Sequence, residues 1–214
     1  MADTIKLLDP NEHQPRKTFD IKITIGVKGM INRAILKKLI ASTLFVALTY
    51  GGAMAENLIQ TSEWSYEADT VMGGVSDGSA EFNGNGSGKF IRLTGEVSTA
   101  NNGGFIQVRS SIPWELAKGK IGIKMKVKGN GEQYYLHIRN SSTRLPWHYY
   151  HQGFETTSTW REIKLPFQFF KKSSSVLRTL VTQNTIKTIA IVAYGKDHTA
   201  DICLLYTSPS PRDS

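Results

Sequence analysis

Two stretches of alternating residues hold the side chains best suited to recognition. In 104–110, Ile106 and Val108 fall on one side while Phe105, Gln107 and Arg109 fall on the other. In 133–139, Tyr134, Leu136 and Ile138 alternate with Gln133, Tyr135, His137 and Arg139. A period of two sends successive side chains to opposite faces of a strand. If the two strands lie in one sheet with these faces aligned, two arginines and an aromatic ring share an exposed surface. Rings there can stack on flat or sugar-like ligands, and guanidinium groups give planar hydrogen bonding. The run Trp147-His148-Tyr149-Tyr150-His151 adds to that surface if its rings face solvent, and underlies a loop if they do not. The candidate contact set is therefore Phe105, Gln107, Arg109, Tyr135, His137, Arg139, Trp147 and Tyr149. For Arg109 and Arg139 the plainer alternative is an exposed or paired surface arginine.

A second cluster is the loop Asp69-Thr70-Val71-Met72-Gly73-Gly74-Val75-Ser76. Paired glycines permit torsions that other residues resist, and short polar side chains can hydrogen-bond a turn. Asp69, Met72, Gly73, Gly74 and Ser76 are thus expected to close a turn. Calcium at Asp69 is the competing reading, but a hard cation needs several oxygens and the sequence supplies no matching acidic cluster. His148 and His151 lie three apart without a carboxylate or cysteine at ligand spacing, so no metal is expected. No nucleophile elbow, phosphate loop or dinucleotide fingerprint is present. A carboxylate pair could be drawn from Glu132, Glu155 and Glu162, yet nothing singles them out. Neither catalysis nor a cofactor is expected. The lysines of 120–128 read as a solvated strand face rather than a nucleic-acid contact.

The elements that must position these groups are short strands. In 120–128, Ile121, Ile123, Met125 and Val127 alternate with lysines, the mark of a half-buried antiparallel strand. Gly129-Asn130-Gly131 then signals a turn, so 120–128 and 133–139 are expected to pair as a hairpin. Further strands are expected at Lys89–Val97, Gly104–Ser110, Trp160–Leu165, Thr188–Tyr194 and Thr199–Ile202, with Trp160 and Leu165-Pro166-Phe167 in the core. Seven or more short strands without helical periodicity imply an all-β, two-sheet sandwich or jelly roll.

Composition agrees. The chain has 214 residues with 40% hydrophobic and 21% charged, which supports one globular domain and excludes both disorder and a polytopic membrane protein. Its 19 glycines favour a turn-rich β protein. A single cysteine, Cys203, excludes an internal disulfide framework. The formal charge of +8 divides into +4 for 1–55, +4 for 56–202 and 0 beyond, so the expected domain is only mildly basic. From Met30, cations at Arg33, Lys37 and Lys38 precede an apolar run from Leu39 to about Tyr50 and then Ala53-Met54-Ala55. These are the parts of a signal peptide (30–55) cleaved after Ala55, giving a periodic-strand domain over 56–202 in the periplasm or secreted. Membrane contact is expected only through that transient segment. Residues 1–29 are an upstream extension of undecided status, with a possible strand at 19–27. Residues 203–214 break the strand pattern and read as a non-native addition, leaving the last strand cut short near Ile202.

Several motifs stand in one register: Trp64; Asp69 to Ser76; Asn102-Gly103-Gly104-Phe105 with Arg109; Val127-Lys128-Gly129-Asn130-Gly131 with Tyr134 and Arg139; Tyr149, Tyr150 and Phe154; Trp160-Arg161-Glu162-Ile163; and Leu165-Pro166-Phe167 with Phe169 and Phe170. Their order and spacing resemble the complex I intermediate-associated protein 30 family over about residues 60–202. The resemblance implies a galactose-binding-like jelly roll related in shape to carbohydrate-binding modules and without assigned catalysis. It also implies assistance in assembly of respiratory complex I (NADH:ubiquinone oxidoreductase), the chaperone role of the mitochondrial members. The functional expectation is a non-catalytic module binding a protein partner, such as complex I subunits, through the contact set above. The alternative is a carbohydrate-binding module using the same face for a glycan.

Overall fold

The computed structural model describes residues 5–8, 10, 62–83 and 90–205. The chain divides into two compact units, Met1–Glu12 with Glu56–Ser214 and His13–Ala55. The second unit, with the expected leader and the stretch 19–27, lies outside the described residues, as do 206–214.

The first unit is an all-β galactose-binding-like jelly-roll sandwich of two antiparallel sheets. Its strands are β1 (Ile5–Leu8), β2 (Trp64–Ala68), β3 (Asp77–Asn83), β4 (Phe90–Val97), β5 (Phe105–Ser111), β6 (Gly122–Gly129), β7 (Gln133–Asn140), β8 (Tyr150–Glu155), β9 (Arg161–Pro166), β10 (Lys171–Lys172), β11 (Ile186–Tyr194) and β12 (His198–Leu205). The first sheet joins β1, β6, β12, β4 and β3, with β9 on the other edge of β6; the second runs β10-β8-β7-β11-β5-β2. Inward residues of both, among them Leu93, Met125 and Ile202 from the first and Val108, Leu136 and Ile191 from the second, form one core. Their alternation is the period-two signal read from the sequence, and burying those faces drives the two sheets together.

The expected hairpin of 120–128 with 133–139 does not form, because both edges of β6 are already taken. Val127 faces Arg161 of β9 on one edge and Leu204 of β12 on the other. β7 is instead paired to β8 and β11 in the opposite sheet. Gly129-Asn130-Gly131 is therefore a crossover between sheets, and Asn130 pins it. Its amide donates to the Thr199 carbonyl at 2.8 Å, and its Oδ1 accepts from the Tyr134 hydroxyl at 2.9 Å. Two core assignments also change. Trp160 precedes β9 and is 38% exposed, and Ile121, just ahead of β6, is equally exposed. Leu165 and Phe167 are buried as expected.

Strand pairing reaches beyond the expected ends of the domain. Ile5–Leu8, within the upstream segment, forms β1 on the edge of β6 that also receives β12. Ile5 lies opposite Met125, two positions beyond the Val127–Leu204 pair, so β1 extends the line of β12. Ile5, Leu7 and Leu8 are all buried. At the far end β12 continues through Leu205, opposite Phe90, because Leu204 keeps the inward alternation of Ala200 and Ile202.

Candidate ligand-binding face

The outward face of the second sheet gathers the candidate contact set. β5 and β7 are not neighbours; β11 lies between and registers them. Ala190 stands opposite both Arg109 and His137, and Val192 opposite both Gln107 and Tyr135. Phe105, Gln107 and Arg109 thus share a surface with Tyr135, His137 and Arg139. Ala190 and Val192 point outward yet are buried, since the larger side chains on either side close over them. The near-continuous apolar run of β11 is that of a strand covered on both faces.

Rings occupy the β7 side of this floor. Tyr135 and Tyr194 meet edge to face with centroids 4.5 Å apart. His137 stacks on Tyr149 at 4.1 Å and 12°, and stands edge-on to Tyr194 at 5.1 Å. His151, opposite His137 on β8, approaches the Tyr194 hydroxyl through Nδ1 at 3.3 Å. Pairs in these geometries contribute about 0.5–1.5 kcal/mol beyond the area they bury. Burial holds the Tyr194 phenol up at about 12, so it remains a neutral hydrogen-bonding group.

Polar groups occupy the β5 side. Arg109 Nη1 lies 3.0 Å from both carboxylate oxygens of Glu67 on β2, and Gln107 Nε2 donates to the same carboxylate at 3.1 Å. Arg139 acts differently: its Nη2 donates to the carbonyls of Thr143 and Leu145 at 3.1 and 3.0 Å, bracing the β7–β8 loop. Ser173 supports that loop from outside, donating to the Trp147 carbonyl at 2.8 Å and accepting from the Tyr149 amide at 3.0 Å. Trp147 is consequently held out to solvent at 63% exposure. His148 turns inward and is buried, so it does not join the face that carries His151. Among the described residues no group of three metal-binding side chains converges.

The candidate contact set lacks Glu67 and Tyr194, and of the run 147–151 it takes Trp147 and Tyr149 but not His151. For Glu67 the signal was the alternation of Ser65 and Glu67 with Trp64 and Tyr66 in β2; its use depends on the pairing that sets Glu67 opposite Gln107.

The Asp69 loop is a clasp. Asp69 is fully buried in a 3-10 turn, Asp69–Met72. Its Oδ1 accepts the Ser76 amide at 3.0 Å; its Oδ2 accepts the Ser76 hydroxyl at 2.6 Å and the amides of Gly104 and Phe105. A Cβ at Gly74 or Gly103 would run into this carboxylate, which is why both positions need glycine. Burial alone would raise the acid's pKa, but the donors from Gly104, Ser76 and Phe105 outweigh it and hold it below the ordinary value. With its lone pairs directed at N–H and O–H donors, the carboxylate serves the turn. Met72 takes no part in the clasp and stands 62% exposed at the loop tip.

The half-buried imidazole of His137 gives the face a pH signature. Burial, and secondarily His151, push His137 down to about 3, whereas an unfolded histidine titrates near 6.5. Its Nε2 meets no hydrogen-bond partner among the described residues, in keeping with a neutral ring. Between those values the unfolded chain binds the extra proton, so the contribution is complete above about pH 6.5 and is lost progressively as pH falls. From pH 6.5 to 5 the loss is about 2 kcal/mol. Denaturant midpoints across that interval should show it, and His137→Gln should remove most of it.

A two-sheet antiparallel sandwich with a preorganised ring and hydrogen-bonding face defines a β-sandwich binding module. The sequence profile of the complex I intermediate-associated protein 30 family matches residues 54–204, and the chain belongs to that family. No curated protein matches the chain. Similar solved structures include the family 11 carbohydrate-binding module of a cellulosomal cellulase of Clostridium thermocellum, with TM-score 0.53 and 14% identity over 68% of this chain and 88% of that one. The family 11 module of that organism in complex with a β-1,3-1,4-mixed-linked tetrasaccharide matches with the same TM-score and identity, over 73% of this chain and 89% of that one. At this identity the likeness is one of fold.

Proposed function

We propose that this chain is a non-catalytic binding module that holds a saccharide chain on the outward face of its second sheet. The observation that carries the reading is the pairing, across β11, of the Tyr135/Tyr194 rings with the Glu67–Gln107–Arg109 network. Sugar rings present C–H faces that pack on aromatic rings, and hydroxyls that need both acceptors and donors. Glu67 supplies the first and Gln107 and Arg109 the second. The groups hold one another in place before ligand arrives, which lowers the ordering cost of binding. A mixed-linked β-glucan is the natural first probe, because a module of the same fold was solved with such a ligand.

Affinity electrophoresis through gels containing mixed-linked β-glucan and a panel of other polysaccharides tests this. Retardation of the wild type on at least one glycan, weakened at least about tenfold in Tyr135→Ala and in Glu67→Ala, is the expected result. Migration unchanged on every glycan would sink the reading. Family membership favours a second one, docking of a protein partner during assembly of complex I. Recovery of respiratory-chain subunits by crosslinking to the tagged chain would support it. A leader over 30–55 would bring the domain to the periplasm or outside the cell, where polysaccharide is met; N-terminal sequencing of the cell-exported chain reads whether cleavage follows Ala55.

A further inference from the structure

One end of the sandwich has a chemistry the saccharide reading does not use. It is built from three connections, 112–121, 141–149 and 167–185. Backbone and hydroxyl bonds tie them together: Phe167 donates to the Ile121 carbonyl at 2.8 Å, Ser141 to that of Thr185 at 3.0 Å, and Ser173 Oγ to that of Trp147 at 2.8 Å. Large apolar side chains are nevertheless exposed on these three segments. Trp147 is 63% exposed, Phe169 59%, Val176 75% and Leu180 58%, and Trp114 and Leu145 join them. The three segments carry Lys118, Lys120, Arg144 and Arg178, with Lys171 and Lys172 on β10 inside the third, against one carboxylate, Glu115, so +5 of the chain's +8 falls here; Lys172 Nζ also donates to the Ser175 and Leu177 carbonyls.

We propose that this end rests on an anionic phospholipid surface. Scattered exposed apolar residues are ordinary, but tryptophan, phenylalanine and aliphatic side chains gathered at one end among cations are not. A bilayer is anionic at its surface and apolar just beneath. Cations can meet lipid phosphates there while the rings and aliphatic chains enter the headgroup boundary. A neutral polysaccharide lacks the charge, and an acidic polysaccharide or a nucleic acid lacks the apolar layer. The proposal is independent of saccharide binding, since Phe169, Val176, Leu180, Lys118 and Arg178 lie outside the face that carries Tyr135 and Glu67.

Co-sedimentation of the full chain with phosphatidylcholine vesicles, with and without phosphatidylglycerol, tests it. Every variant keeps the apolar run 39–50, so the readout is the increment in partitioning that phosphatidylglycerol adds. Wild type should show a clear increment. Reversing three cations, Lys118→Glu with Arg144→Glu and Arg178→Glu, should cut it about a hundredfold. Phe169→Ser with Val176→Ser and Leu180→Ser should cut it at least about tenfold. All six positions are exposed, so unchanged melting temperatures show that folding is intact. No increment in wild type, or an increment unchanged by the charge reversals, overturns the proposal. An increment sensitive to charge but indifferent to the apolar substitutions also overturns it, marking a general polyanion surface.

Discussion

Asp69→Ala lowers the unfolding free energy by about 4 kcal/mol, read from chemical denaturation monitored by tryptophan fluorescence. Hydrogen bonds to a charged group contribute about 1.5–3 kcal/mol each, and a buried donor left without a partner costs about 1–3 kcal/mol. Asp69 receives the Ser76 amide and hydroxyl and the amides of Gly104 and Phe105. Their effects overlap because one side chain serves them all, which holds the total well below the sum of four separate bonds. Ser76→Ala, which removes the hydroxyl alone, should cost about 1–2 kcal/mol. The clasp also binds β5 to the turn after β2, so loosening it displaces Phe105 at one end of the binding face. Because the folded acid titrates below its unfolded value, its contribution is present above the unfolded pKa and disappears as pH falls through the folded one. An Asp69→Ala protein as stable as the wild type at neutral pH would show that the motif loop is not a clasp.

Ile5→Ala and Leu7→Ala are each expected to destabilise the full chain by about 3 kcal/mol, the usual cost of emptying a fully buried aliphatic site. Both side chains are buried in β1 against β6, with Ile5 entirely enclosed. Lys6 lies between them on the opposite face, so Lys6→Ala empties no core site and should cost clearly less than either. That alternation separates docking of β1 from a general effect of altering the segment. Three equal, negligible effects would mean that β6 keeps this edge unfilled. Cleavage after Ala55 would sever β1 from the domain, so the same substitutions should lose their effect in a chain so processed and separated from its leader.

What the sequence conveyed follows from how local each signal was. The alternation in 104–110 and 133–139 shows which side chains share a face, and the structure keeps both sets. That β11 intervenes could not be read there, since pairing is decided between strands distant in the chain. The same limit produced the hairpin reading: Gly129-Asn130-Gly131 has the chemistry of a tight turn whether the chain returns to the same sheet or crosses to the other. What decided it was β9, β12 and β1 filling both edges of β6. Glu67 escaped notice because an acid on a five-residue strand reads as surface, and its work depends on Arg109, 42 residues away. Arg139 stands in the candidate contact set by alternation alone; that its Nη2 also braces the carbonyls of Thr143 and Leu145 depends on the loop beyond the strand. The Asp69–Ser76 and Gly103-Gly104-Phe105 motifs stand apart in the sequence; one carboxylate accounts for both.

A saccharide held, as proposed, on the outward face of the second sheet perturbs the residues of that face first. Amide and side-chain NMR shifts of the full chain, titrated with a mixed-linked β-glucan oligosaccharide or with whichever glycan retards it, report that location directly. Saturable shifts concentrated on Glu67, Gln107, Arg109, Tyr135 and Tyr194 are expected, and they should disappear in Tyr135→Ala. Saturable shifts confined to the first sheet or to the opposite loops, with this face silent, would contradict it.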